Sequence, residues 1–79
     1  MNYIRNENGI RLLGRKIRQL RNKAKISQAQ LAFEANIPRE QVGRIERGII
    51  NTGVSTLFEI AKALNVDVKT LFDFDDLRL

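Results

Sequence analysis

Between Ser27 and Gly48 the chain carries two helix starts and two helix stops within 22 residues, and this punctuation limits the possible folds more than any other feature. Ser27-Gln28-Ala29-Gln30 reads as a capping box: the serine oxygen accepts a free amide at the helix start and the Gln30 side chain reaches back to the cap residue. Helix two starts there and runs through Leu31, Ala32 and Ala35. It stops at Asn36-Ile37-Pro38, because proline disfavours a helical residue before it and is well placed to open the next helix. Helix three, about Arg39 to Arg47, points Val42 and Ile45 inward and closes at Gly48, a natural left-handed residue past a helix end. Two helices of about two turns joined by so tight a turn cannot lie antiparallel. They cross steeply and leave the second free to protrude.

The flanking segments complete an all-helical plan. From about Ile10 to Lys25, Leu13, Ile17, Leu20 and Ala24 recur at steps of four, three and four, the apolar stripe of helix one. Arg11, Arg15, Lys16, Arg18, Lys23 and Lys25 cover much of its remaining surface and read as a solvated face. Ile49 to Gly53 form a connection, and Val54, Leu57, Ile60, Ala61 and Leu64 give the stripe of helix four. Asp67 caps a short helix five, where Val68, Leu71 and Phe72 close the core. Phe33 lies off the stripe of helix two and is expected to fill an edge of the core. No strand pattern or internal repeat is present. The expected fold is all-α, a compact bundle of five short helices, with a flexible arm over residues 1–9, a folded domain over 10–73 and a tail over 74–79.

Composition narrows the function. A chain of 79 residues, 43% hydrophobic, supplies one core and no second domain. With no Cys and no His, disulfides, thiolate nucleophiles and the usual zinc ligand sets are unavailable, so no cofactor or metal is expected. No phosphate-cradling Gly-rich loop and no paired core carboxylates suggest an enzyme. No apolar run approaches the roughly 20 residues of a membrane span, and the start Met1-Asn-Tyr-Ile-Arg lacks a secretory pattern, so a cytoplasmic protein is expected. The net charge is +5 and unevenly placed: residues 1–50 hold eleven Lys/Arg against four Asp/Glu, residues 51–79 three against five. One end faces a polyanion.

Helix three supplies what such a partner needs. The major groove of B-DNA admits one α-helix, and a reading helix requires apolar anchors inward and long hydrogen-bonding side chains outward. Arg39, Glu40, Gln41, Gly43, Arg44 and Arg47 around the Val42 and Ile45 anchors meet that requirement.

The motifs Ile17-Arg18-Gln19-Leu20-Arg21, Ile26-Ser27-Gln28-Ala29-Gln30-Leu31-Ala32, Ile37 to Gly48 and Ile60-Ala61-Lys62-Ala63-Leu64-Asn65-Val66 resemble the phage-repressor-type helix-turn-helix regulators, also called the xenobiotic-response-element family. The resemblance spans roughly Leu13 to Phe72. Leu31-Ala32-Phe33-Glu34 and Ile45-Glu46-Arg47-Gly48 look like the short controller proteins of restriction-modification systems. It implies a lambda-repressor-like domain that binds double-stranded operator DNA as a homodimer, with two reading helices about 34 Å apart.

The resemblance also assigns residue roles. Gln28 either meets a phosphate at the start of helix two or faces solvent as part of the cap. Arg39 and Arg44 read base edges, guanine above all, or hold phosphates. Glu40 accepts from cytosine N4 or, preferably, orients Arg44 one turn along. Gln41 reads adenine or bonds phosphate, Gly43 lets the helix approach the groove closely, and Arg47 meets phosphate or solvent. Asn51 contacts phosphate from the loop or shapes the turn. Arg21 and Glu46 match an ion pair between helices one and three, a structural role. Pro38 stands where many relatives place a hydroxyl residue, so the cap oxygen of helix three is missing, and Gly53 stands where relatives often carry Ser, so Thr52 is the expected cap of helix four.

Ile49, Ile50, Phe74, Leu77 and Leu79 leave apolar surface beyond a monomer core and are the candidate dimer contacts. The resemblance favours a repressor or autoregulator. The rival reading is an antitoxin or other protein-binding module, with an unidentified protein partner, that binds operator DNA as well.

Overall fold

The computed structural model describes residues 4–77. In chain order it contains α1 (Glu7–Lys23), α2 (Gln28–Ala35), α3 (Arg39–Glu46), α4 (Val54–Ala63) and a 3-10 helix (Val68–Phe72), with no strand among the described residues. The all-α plan is present, with helix five as a 3-10 turn and α1 as a long helix of 17 residues.

The beginning of α1 corrects the expected arm. Asn6 Oδ1 accepts the Gly9 amide at 2.7 Å and the Asn6 carbonyl accepts the Ile10 amide at 2.9 Å, so residues 7–9 are the first helical turn. Asn6-Glu7-Asn8-Gly9 carries no apolar stripe, but a cap and an acid in the first turn suffice to start a helix. Arg5 continues the attachment: its Nη2 donates to the Ile49 carbonyl at 2.7 Å and its Nε pairs with Glu7.

All four α-helices end alike. Lys25, Asn36, Gly48 and Asn65 take positive φ of 60°, 58°, 72° and 58°. The next residue in each case is Ile26, Ile37, Ile49 or Val66. Its amide donates to the carbonyl five positions back, at 3.3, 3.0, 2.9 and 3.0 Å. This closure satisfies a terminal carbonyl and turns an apolar residue back toward the helix it ends. The α2 stop is therefore made by Asn36, while Pro38 occupies the cap position of α3 without a side-chain bond. Gly48 is required twice over, since a Cβ there would also lie 2.7 Å from Arg11 Cγ.

Ile17, Leu31, Val42, Ile60 and Leu71 are fully buried, one from each element, and Ile45, Leu57, Ala61 and Leu64 pack around them. α3 packs on α1 and α2, α4 on α2, and the 3-10 helix bridges α4 and α1. At the start of α2, Ser27 Oγ accepts the Gln30 amide at 3.0 Å, and Gln30 makes no return bond.

Several expectations about burial are overturned. Phe33 is 85% exposed, because Leu31, Ala32 and Ala35 take the inner face of α2 and Phe33 falls nearly opposite them. Ala24 is the exposed cap residue of α1. Val54 is 68% exposed and Phe72 half-exposed, since the buried stripe of α4 begins at Leu57 and the 3-10 turn places Leu71 inward instead. Thr52 does not cap α4: Gly53 holds that position, and Thr52 Oγ1 is buried without a hydrogen-bond partner among the described residues. Asp67 precedes the 3-10 helix without a side-chain cap bond. Lys16 is buried, not solvated. Its ammonium lies 3.2 Å from Asp76 in the tail, which also accepts from Gln19 Nε2 at 2.8 Å.

Candidate nucleic-acid interface

Val42, Ile45 and the carboxylate of Glu46 tie α3 to the protein, and this fixes what the opposite face presents. Arg39, Glu40, Arg44 and Arg47 are exposed there, with Gly43 between them. Together with Gln28 from the first turn of α2 these residues line an open concavity of about 350 Å³. None of the three arginines is in an ion pair among the described residues, so three guanidiniums and one carboxylate face outward. Such a face attracts a polyanion and offers fork-shaped donors to it.

The inner end is held by the Arg21–Glu46 pair. Arg21 Nε and Nη2 donate to Glu46 Oε2 and Oε1 at 2.7 and 3.1 Å, and Arg21 Nη1 donates to the Ile26 carbonyl at 2.9 Å. Both side chains are largely buried, at 12% and 2% exposure. Hydrogen bonding to Glu46 holds the Arg21 guanidinium above its ordinary pKa; burial opposes this and the Glu46 charge adds to it. The bidentate geometry joins the end of α1, the start of the turn and the last helical residue of α3 in one cluster.

Gln28 belongs to the same cluster, because its Nε2 donates to Glu46 Oε1 at 3.1 Å. Nothing in the periodicity of the sequence links positions 28 and 46, so this bond was invisible there. Glu40 and Arg44 form no hydrogen bond or ion pair among the described residues. The expected orienting contact is therefore absent from this structure. Pro38, Gln41 and Asn51 are not among the residues lining the concavity; Pro38 and Asn51 are exposed and Gln41 half-buried. Of the candidate dimer residues, Ile49 is half-exposed, Ile50 packs against the core, Phe74 and Leu77 are half-buried, and Leu79 lies outside the described residues.

A protruding polar helix, crossed by a second helix through the Asn36 turn and anchored by a buried ion pair, defines a helix-turn-helix domain. Residues 17–71 match the helix-turn-helix family, and the chain belongs to that family of DNA-binding transcriptional regulators, whose partner is double-stranded DNA and which are not enzymes. The control protein C.BamHI of Bacillus amyloliquefaciens is 46% identical over 69 residues, covering 85% of either chain. The immunity repressor protein of Bacillus phage phi105 is 37% identical over 59 residues, covering 75% of this chain and 41% of the repressor. The crystal structure of the restriction-modification controller protein C.AhdI from Aeromonas hydrophila superposes with a TM-score of 0.79 at 33% identity. It covers 80% of this chain and 96% of that one. No helix among the described residues is long and apolar enough to cross a membrane.

Proposed function

We propose that this chain binds an operator with two related half-sites as a homodimer, α3 entering the major groove of each, and thereby regulates transcription, its own included. The observation that carries the reading is the outward face of α3. Arg39, Arg44 and Arg47 surround Gly43 on one side while Val42 and Ile45 are buried on the other. An eight-residue helix is about 12 Å long, and the major groove is about 12 Å wide, so most of that face can meet base edges at once. The likeness to C.BamHI and C.AhdI supports control of a restriction-modification system as the biological setting, and the phage repressor supports repression.

The homodimer is supported by apolar side chains that the monomer leaves uncovered. Ile49, Val54, Phe58 and Phe72 are each at least half-exposed, apolar side chains that a second copy of the chain would cover. Selection from a random duplex pool tests the proposal. It succeeds with a motif of two inverted half-sites bound by two chains, and fails if no motif emerges.

A further inference from the structure

Gln28 is held in one orientation before any ligand arrives. Glu46 is paired with Arg21 and, as a carboxylate, only accepts hydrogen bonds. The Gln28 atom 3.1 Å from Glu46 Oε1 must then be the amide nitrogen, which settles the two ends of the amide. Nε2 carries two hydrogens and Glu46 takes one of them. What remains is one N–H and the Oε1 acceptor of the same amide.

That amide faces Gly43. A Cβ built at Gly43 would lie 3.8 Å from both Nε2 and Oε1 of Gln28, and beyond the helix's own backbone and the residues next in the chain no other described atom lies within 4 Å of it. A glycine inside a helix weakens it, and no neighbour in the protein requires the space. The gap opens into the concavity lined by Arg39, Arg44 and Arg47.

A donor beside an acceptor has one two-point complement among the bases in the major groove, the N7 acceptor and N6 donor of adenine. Guanine offers two acceptors, which suit an arginine fork. A phosphate offers acceptors only and would leave Oε1 unmatched. We propose that Gln28 reads an adenine from outside the reading helix, with Glu46 as its positioning residue and Gly43 as the gap that admits the base edge. The inference rests on the placement of α3 in the major groove proposed above.

The test is selection from a random duplex pool with wild type, Gln28→Met and Gly43→Ala, each checked for cooperative melting. Gln28→Met keeps length and removes both polar ends; Gly43→Ala fills the gap; neither touches Val42, Ile45 or the ion pair. The wild type selects adenine at one position in each half-site. Both variants lose roughly tenfold of the preference at that position and keep the others. Glu46→Gln, read below its own melting temperature, relaxes the same position, which a role confined to folding would leave alone. If Gln28→Met weakens every sequence equally and leaves the motif unchanged, Gln28 is a phosphate contact and the inference is overturned. If the wild type selects no motif at all, the groove-reading account itself fails, and that outcome is distinct from the first.

Discussion

A Cβ on Gly14 would stand 2.2 Å from the carbonyl oxygen of Ile45, so α1 and α3 touch backbone to backbone at that point. The obstacle is main chain, not the end of a flexible side chain, and the Glu46 carbonyl at 2.8 Å closes the other direction. Gly14→Ala therefore forces the two helices apart. The expected loss is about 2 kcal/mol or more in urea unfolding, with operator affinity reduced as α3 shifts. Unchanged stability would mean that the helices separate without strain.

The Arg21–Glu46 pair makes a second prediction, because removing one partner leaves a charge in a largely buried place. Arg21→Met is expected to destabilise by about 3 kcal/mol in thermal or denaturant melts, and Arg21→Lys by less, since lysine keeps the charge but not the fork. The double variant Arg21→Met/Glu46→Leu recovers most of the loss, as paired apolar replacements usually do. It still lacks the acceptor that holds Gln28, so a folded double variant with altered base preference separates the two roles of Glu46.

Much of this architecture was legible because short-range chemistry dictates it. Ser27 and Gly48 each act within a few residues of themselves, and they set the start of α2 and the end of α3 in the sequence as they do in the structure, whereas the stop of α2 was read from Pro38 and is made by Asn36. The outward row of α3 followed from Val42 and Ile45 at helical spacing. What escaped was long-range. Lys16 read as solvated because only the fold returns Asp76 to it, and Gln28 read as a phosphate contact or a solvent-facing cap residue because only the fold brings Glu46 beneath it. Phe33 was misplaced because an eight-residue helix with several small residues shows its inner face weakly. Gly14 did carry a signal, a lone glycine inside a strong helical pattern, which usually marks close packing.

Acid should loosen the tail. Bonds from Gln19 and then Lys16 hold the Asp76 carboxyl below its ordinary pKa. A carboxylate depressed in the folded state contributes stability above its unfolded pKa, and that contribution is lost as pH falls through the folded value. The contact is thus complete at neutral pH and is lost only as pH falls below the ordinary carboxylate range, through the depressed folded value. Amide shifts of Leu77 followed by NMR from pH 6 to about 2 should report the release. Asp76→Asn should flatten that titration. A Leu77 shift that ignores pH in the wild type would refute the link.

Association can be checked independently of DNA. Phe58 on α4 is 54% exposed, and Phe58→Glu adds a charge to the apolar surface without touching the core. Sedimentation equilibrium should show a dimeric wild type and a predominantly monomeric variant with unchanged helicity and weaker operator binding. A variant that stays dimeric would move the interface to another face.

The central claim is that α3 reads sequence and does not merely attract charge. It is tested most directly by titrating wild type and Arg44→Ala against the selected operator and an unrelated duplex at several salt concentrations. The account predicts that Arg44→Ala loses about 1–3 kcal/mol on the operator, relaxes one base position in each half, and changes little on the unrelated duplex. Equal losses on both duplexes, with affinity falling alike as salt rises, would reduce the face of Arg39, Arg44 and Arg47 to an electrostatic surface.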